Sequence, residues 1–143
     1  MSDEVRLAVP ASAEFLRLAR VTAAGLASRL GFTFDEVDDL RLAIDELCFA
    51  LLGARGRQGT VQLRYLVLDD GLEVVGTGHF LDDGPAPTLH DFSGQILDAL
   101  VDEHALSGGE ATPEFRLVKS AAIPHQTPAG SMREFLYCRI ERV

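Results

Sequence analysis

One glutamate inside an apolar helical segment is the residue best placed to do chemistry. The segment DDLRLAIDELCFALLG runs from Asp38 to Gly53, and Glu46 lies in its middle with apolar neighbours on both sides. A carboxylate in such surroundings can serve as a general base. It can also be an acid at the margin of the buried face that reaches solvent or an arginine. The neighbouring residues do not decide between these two roles.

The cysteines and histidines lack the spacing of a metal site. Cys48 lies in an apolar helical pattern and Cys138 in a strand-like pattern. No H-x-x-x-H or C-x-x-C motif occurs, and the four histidines are scattered: His79, His90, His104 and His125. We therefore expect two buried thiols and no metal centre.

The segment that carries the glutamate has the clearest helical pattern in the chain. Thr33 and Glu36 have capping-box spacing, and Gly53 follows the last apolar residue, which predicts a helix over 34–53. The acidic cluster at 35–39 is expected to be a solvated helix start, where the helix dipole favours negative charge. The apolar residues at helical spacing are expected to face the core: Phe34, Val37, Leu40, Ile44, Leu47 and Leu51.

The N-terminal residues predict a strand followed by another helix. Alternating apolar residues indicate a strand over Glu4–Val9, and Pro10 ends it. Ser12 is a suitable N-cap for a helix that runs to about Leu30. Its expected core-facing residues are Phe15, Leu18, Val21 or Thr22, and Leu26.

A hairpin and a third helix are predicted in the second half of the chain. Alternation over 61–67 and 72–75 indicates two strands joined by a turn at Asp70-Gly71. Gly76 and Gly78 are interpreted as a bulge or tight bend. The remaining expected elements are a helix over Ser93–His104 and strands over Phe115–Lys119 and Phe135–Ile140.

The order β-α-α-β-β-α-β-β predicts an α+β fold. We expect a two-layer α/β sandwich with three helices on one face of a mixed, mainly antiparallel sheet. A chain of 143 residues without repeats or a linker predicts a single domain over 1–143.

The net charge of −9, from 22 acids and 13 bases, disfavours direct binding of nucleic acid. An acidic surface suits a basic protein partner. No apolar run is long enough to cross a membrane, so a cytoplasmic location is expected.

Three stretches in this order, VRLAVPASAEFLRLAR, LRLAIDELC and DFSGQILDALVDE, resemble the RsbW-like anti-sigma-factor serine kinases of bacteria. The likeness covers nearly the whole chain and is closest to the shortened actinobacterial members. It implies the histidine-kinase-like ATPase fold of the Bergerat type. It also implies an alternative sigma factor and a STAS-type anti-anti-sigma protein as partners, and a possible homodimer.

The resemblance implies a nucleotide site, and the residues match it in part. Glu46 stands at the position of the general base, but Ala50 stands where the family has a magnesium-binding asparagine. The aspartate that binds adenine falls on Gly78, and the nearest substitute is the DDG run from Asp82 to Gly84.

The phosphate-binding glycines of the family correspond to Asp91 and Ser93, with Gly94 one residue out of register. A carboxylate at Asp91 would lie where the phosphates bind. The resemblance therefore implies a degenerate site, with no cofactor unless ATP and magnesium still bind.

Three functions are compatible with these residues. The first is a regulator that sequesters a sigma factor without a working nucleotide site. The second is an ATP-dependent serine kinase that phosphorylates its anti-anti-sigma partner, with Glu46 as general base. The third is a scaffold whose vestigial pocket binds another small molecule. The missing metal ligand at Ala50 weighs against an enzyme, because phosphoryl transfer depends on metal and positioning.

Overall fold

The computed structural model describes residues 3–53, 56–82, 87–108 and 112–121, and within them the predicted α+β fold is confirmed. One five-stranded sheet has the strand order β1-β2-β3-β5-β4, and all its described pairings are antiparallel. In these ranges no helix is long and apolar enough to cross a membrane. The elements are β1 (Glu4–Pro10), α1 (Ala13–Arg29), α2 (Phe34–Leu52), β2 (Gly59–Val67), β3 (Gly71–Phe80), α3 (Asp91–Leu100), β4 (Glu103–Ser107) and β5 (Glu114–Ser120).

Side chains alternate between the helix-covered face of the sheet and an open face. On the covered face, the buried Tyr65 donates a hydrogen bond to the carbonyl oxygen of Ala19 in α1 at 2.9 Å. The open face is charged, as shown by the Arg116 Nε to Glu73 Oε1 contact of 2.6 Å. The core therefore lies between the sheet and the helices, as the two-layer prediction requires.

Helix α1 uses mainly small residues for its core face, so the predicted stripe is wrong for its larger members, although Leu26 does pack against the core. Its buried residues are Leu16, Ala19, Ala23 and Ala27. Phe15, Leu18 and Val21 are instead exposed, with 39%, 47% and 66% of their surface accessible. Alanines let the helix backbone approach its neighbours closely, close enough for a tyrosine hydroxyl of the sheet to reach a backbone carbonyl.

The capping box at the start of α2 is confirmed. The Thr33 hydroxyl accepts a hydrogen bond from the Glu36 backbone N–H at 3.1 Å, and the Glu36 carboxylate accepts one from the Thr33 N–H at 2.8 Å. The predicted core role of Phe34 is wrong, since 80% of its surface is exposed. Phe34 lies about 120° around the helix from Leu40, which is fully buried.

The rest of the α2 stripe faces the core, and Leu40, Ile44, Leu47 and Leu51 are buried. Cys48 is buried beside them as predicted, whereas Cys138 lies outside the described residues. Burial raises the pKa of the Cys48 thiol to about 12, which makes it inert at neutral pH.

Replacing Thr33 with alanine is expected to destabilise the protein by about 1 kcal/mol, because one helix-end N–H loses its acceptor. Urea unfolding followed by circular dichroism measures the change. Ser28→Ala is the matched control, since the exposed Ser28 hydroxyl only donates to the Ala24 carbonyl within α1. A loss for Thr33→Ala no larger than for Ser28→Ala would show that the capping box is not stabilising.

The hairpin of β2 and β3 is confirmed, but its turn lies one residue earlier than predicted. Leu68 N–H donates to the Gly71 carbonyl at 2.9 Å, so the loop residues are Asp69 and Asp70. Neither aspartate has a positive φ, and Gly71 is already the first residue of β3.

Gly76 and Gly78 lie inside a continuous strand rather than at a bulge, and neither has a positive φ. Aromatic rings explain them. A Cβ added at Gly76 would overlap the Phe115 ring, and one at Gly78 would overlap the Phe80 ring. The glycines therefore provide room for core aromatics, which single-sequence alternation does not reveal.

The third helix ends at Leu100, not at His104, because the chain turns into an edge strand. Glu103–Ser107 forms β4 and pairs with β5. Val101 is extended, with φ −133°, and the Lys119 ammonium donates to the Leu100 carbonyl at 2.7 Å. Strand pairing and this side-chain contact stop the helix. The strand predicted over Phe135–Ile140 lies outside the described residues.

Candidate functional site

A cavity of about 580 Å³ lies between the C-terminal half of α2 and the segment that leads into α3. Helix α2 contributes Glu46, Phe49 and Ala50 to its wall, and the segment before and at the start of α3 contributes Leu89 and Ser93. Its volume is typical of small-molecule sites. Glu46 therefore faces a cavity.

Glu46 and Ala50 stand one helical turn apart on the same wall of the cavity, as their spacing predicts. The Ala50 methyl group offers no oxygen or nitrogen to a cation. Within the described part of the chain, the Glu46 carboxylate has no hydrogen-bond or ion-pair partner. From the sequence, an acid at the margin of the buried face is expected to reach solvent or an arginine. Among the described residues, Glu46 contacts no arginine.

An arginine instead contacts the residue before Glu46, which is Asp45. Arg20 Nε lies 3.1 Å from Asp45 Oδ1. Burial raises the pKa of Asp45, and the negative charge of Glu46 adds to this increase. The positive charges of Arg20 and Arg41 act in the opposite direction and lower the pKa. The Glu46 carboxylate is thus a neighbouring negative charge on a half-buried helix surface.

Asp82, the candidate adenine-binding residue, is held by Arg57. Arg57 Nε donates to Asp82 Oδ1 at 3.2 Å, and Arg57 Nη2 donates to the Asp82 carbonyl at 3.1 Å. The guanidinium also stacks on the Phe80 ring, 4.1 Å from its centroid, and the Arg57 side chain is only 6% exposed. Arg57 lines the cavity, whereas Asp82 is not among its described lining residues. The Asp82 carboxylate is therefore engaged within the protein.

The start of α3 does not form a phosphate-binding loop. Gly94 N–H already donates to the His90 carbonyl at 2.9 Å, inside the helix. The Ser93 side of the helix lines the cavity, and Asp91 is the exposed first helical residue. A carboxylate in the first turn opposes the helix-terminal attraction for phosphate.

The structure brings together some of the proposed site residues and separates others. Glu46, Ala50 and Ser93 share the cavity wall. Among the described residues, Gly78 and Gly94 do not line it, and Gly84 lies outside the described ranges. Gly78 lies under an aromatic ring.

Sequence reasoning missed Arg57, although the hairpin register could have located it. Gly59 pairs with Phe80, so continuing the antiparallel register places residue 57 opposite residue 82. An arginine and an aspartate at opposing positions would then have suggested an ion pair.

These residues do not fit ATP with magnesium. In the described ranges, no three histidine, cysteine, aspartate or glutamate residues are grouped to hold a metal ion. The position expected to hold the cation is an alanine, and Asp82 is bound to Arg57.

The sequence is similar to curated bacterial proteins named serine-protein kinase RsbW. It is 36% identical to that of Bacillus pumilus over 102 residues, which cover 62% of this chain and 63% of that protein. It is 36% identical to that of Bacillus subtilis over 77 residues, covering 52% of this chain and 48% of the relative. For Bacillus velezensis the identity is 37% over 76 residues, covering 51% and 48%. The chain thus spans between about half and less than two thirds of these relatives. No family model matches it.

Proposed function

We propose that this chain, an RsbW-like protein by sequence and fold, is a cytoplasmic anti-sigma regulator that sequesters an alternative sigma factor without using ATP. A STAS-type anti-anti-sigma protein would release the sigma factor. The observation that carries the proposal is the cavity wall, which presents an alanine where a kinase needs a metal ligand, beside a glutamate that has no partner among the described residues. Such a wall supports a protein-binding role over phosphoryl transfer.

Phosphoryl transfer is mainly positioning and electrostatic stabilisation by metal and cationic groups. Glu46 alone supplies neither, because a general base acts only on a substrate that other groups hold in place. Arg57, the described arginine that lines the cavity, is bound to Asp82 and stacked on Phe80. These contacts support a regulator over an enzyme.

An apolar stripe on α1 supports a protein partner. Phe15, Leu18 and Val21 project from one side of the helix and are exposed. Large exposed apolar side chains in a group are typical of interaction surfaces. The net charge of −9 adds long-range attraction toward a basic partner such as a promoter-binding protein.

The acidic cluster at the start of α2 is a weaker candidate surface. Glu36 is engaged in the capping box, and Asp39 lies 3.6 Å from the Lys119 ammonium. Asp38 is 3.5 Å from Arg41 within the helix. Three of the four acids therefore have internal contacts, and we place the sigma-binding surface on the α1 stripe.

Binding titrations against a panel of sigma factors from the same organism test the proposal, with the primary sigma factor as reference. Leu18→Glu is expected to weaken binding of one alternative sigma factor at least about tenfold, since a charge is placed in an apolar contact. Glu46→Ala is expected to bind within about twofold of the wild type, without nucleotide. Raising the salt concentration should slow association.

Ser28→Glu is the matched control for Leu18→Glu, because it adds the same charge to an exposed position of α1 about three turns away. Light scattering measures the oligomeric state of Leu18→Glu and of the wild type. A change in oligomeric state would indicate that the stripe is a homodimer contact, whereas an unchanged state indicates that the stripe binds the sigma factor directly. Binding that requires ATP, or that is lost in Glu46→Ala, would refute the proposal.

The competing function is an active serine kinase that phosphorylates the anti-anti-sigma protein. It is favoured by the position of Glu46 on a ligand-sized cavity and by the similarity to proteins named serine-protein kinases. Transfer of labelled phosphate from ATP to a STAS-domain protein, abolished in Glu46→Gln, would establish it.

A further inference from the structure

The cavity between α2 and α3 has a chemical character of its own. Its wall is largely apolar, with Phe49, Ala50 and Leu52 on α2 and Pro87 and Leu89 on the facing segment. A wall of this kind gains free energy by removing an apolar group from water. About 580 Å³ is enough space for a one-ring or two-ring organic molecule.

The charges on this wall favour a positive ligand. Three described ionisable side chains line the cavity: Glu46, Arg57 and His90. Arg57 is almost fully buried, paired with Asp82 and stacked on Phe80, so its charge is already compensated. Glu46 has no described partner, so among the described wall residues, with histidine counted as neutral, the unbalanced charge is negative. A polyphosphate is disfavoured in such a cavity, whereas a cation would supply the missing partner.

We propose that this cavity binds a small organic cation, with a protonated amine or guanidinium group on Glu46 and an apolar body against Phe49, Ala50 and Leu89. The alanine at position 50 is then a feature of the site, since its small side chain leaves the apolar space that the ligand body occupies. This inference goes beyond the proposed regulator function and does not depend on it, because the α1 stripe lies on a different helix.

Three probes of similar shape and different charge test the proposal: 2-phenylethylamine, neutral 2-phenylethanol and the anion 3-phenylpropionate. Each is titrated into the full chain, and binding is followed by amide shifts in the two-dimensional nitrogen–proton NMR spectrum. The amine is expected to shift amides of 46–53 and 87–93 saturably. We expect it to bind about two- to fivefold more tightly than the alcohol, as one partly exposed ion pair allows. The anion is expected to bind more weakly than either.

Glu46→Gln is expected to reduce the affinity for the amine to that for the alcohol, while the affinity for the alcohol stays within about twofold of wild type. Asp35→Asn is the matched control, because it removes an exposed carboxylate from the other end of the same helix, and it should leave all three affinities unchanged. Ala50→Leu should weaken the amine and the alcohol alike by filling the cavity. Thermal melts establish that each variant is folded.

Equal affinity of the amine and the alcohol for the wild type would overturn the proposal. So would an unchanged preference in Glu46→Gln, or the absence of saturable shifts at these amides with all three probes. Loss of sigma binding in the separate titrations would refute the regulator function and leave this result standing, so the two failures are distinguishable.

Discussion

The Gly76→Val variant is expected to lose about 3 kcal/mol or more of its free energy of unfolding. A Cβ at this position overlaps the ring of the fully buried Phe115 on the neighbouring strand. Overpacking of a core usually costs about 1–3 kcal/mol, and valine adds two methyl groups beyond the first overlap. The higher strand propensity of valine returns less than about 1 kcal/mol, so the steric cost decides the sign.

Urea unfolding at equilibrium measures this loss, and Gly25→Ala provides the matched control. Gly25 lies inside α1, and nothing lies within 4 Å of an added Cβ. The control is expected to gain about 0.5–1 kcal/mol from helix propensity. The cost of Gly76→Val should shrink when Phe115 is also changed to leucine, because the two sites are in contact. A Gly76→Val protein within about 1 kcal/mol of wild type would show that Phe115 moves aside freely.

The helix α2 was predictable from sequence because its cap and stripe are local features. Thr33 and Glu36 satisfy each other within one turn. The core-facing side of α1 was not predictable in the same way, because the largest apolar residues of this helix face solvent and its alanines face the core. Side-chain size favours Phe15 and Leu18 as core residues, whereas the close approach of α1 to Tyr65 requires Ala19.

The C-terminal end of α3 was misjudged because tertiary contacts override local pattern there. The apolar residues from Ile96 to Val101 have helical spacing, yet pairing with β5 draws Glu103–Ser107 into the sheet.

In the candidate site, too, local spacing was predictable from sequence and tertiary contacts were not. Glu46 and Ala50 lie on one wall because helical spacing fixes them, but the pairing of Arg57 with Asp82 joins residues 25 positions apart. The register of a hairpin determines that pair, and no local motif indicates it.

ATP with magnesium is expected to bind at least about tenfold more weakly to this chain than to the RsbW kinase of Bacillus subtilis. Loss of one charge-assisted ligand corresponds to about 1.4 kcal/mol, which is tenfold in affinity. Ala50→Asn alone is not expected to create phosphoryl transfer, because Asp82 is still held by Arg57 and Asp91 still begins α3. Phosphorylation of a STAS-domain protein by Ala50→Asn would contradict this expectation.

A calorimetric titration of the full chain with ATP tests whether the cavity works as a nucleotide site. The titration is run with and without magnesium, beside the Bacillus subtilis relative as reference and Glu46→Gln as the variant that removes the negative charge of the wall. We predict weak heat that does not depend on magnesium in the wild type, and no loss of ATP affinity in Glu46→Gln. Magnesium-dependent binding with a micromolar dissociation constant, weakened in Glu46→Gln, would contradict the account.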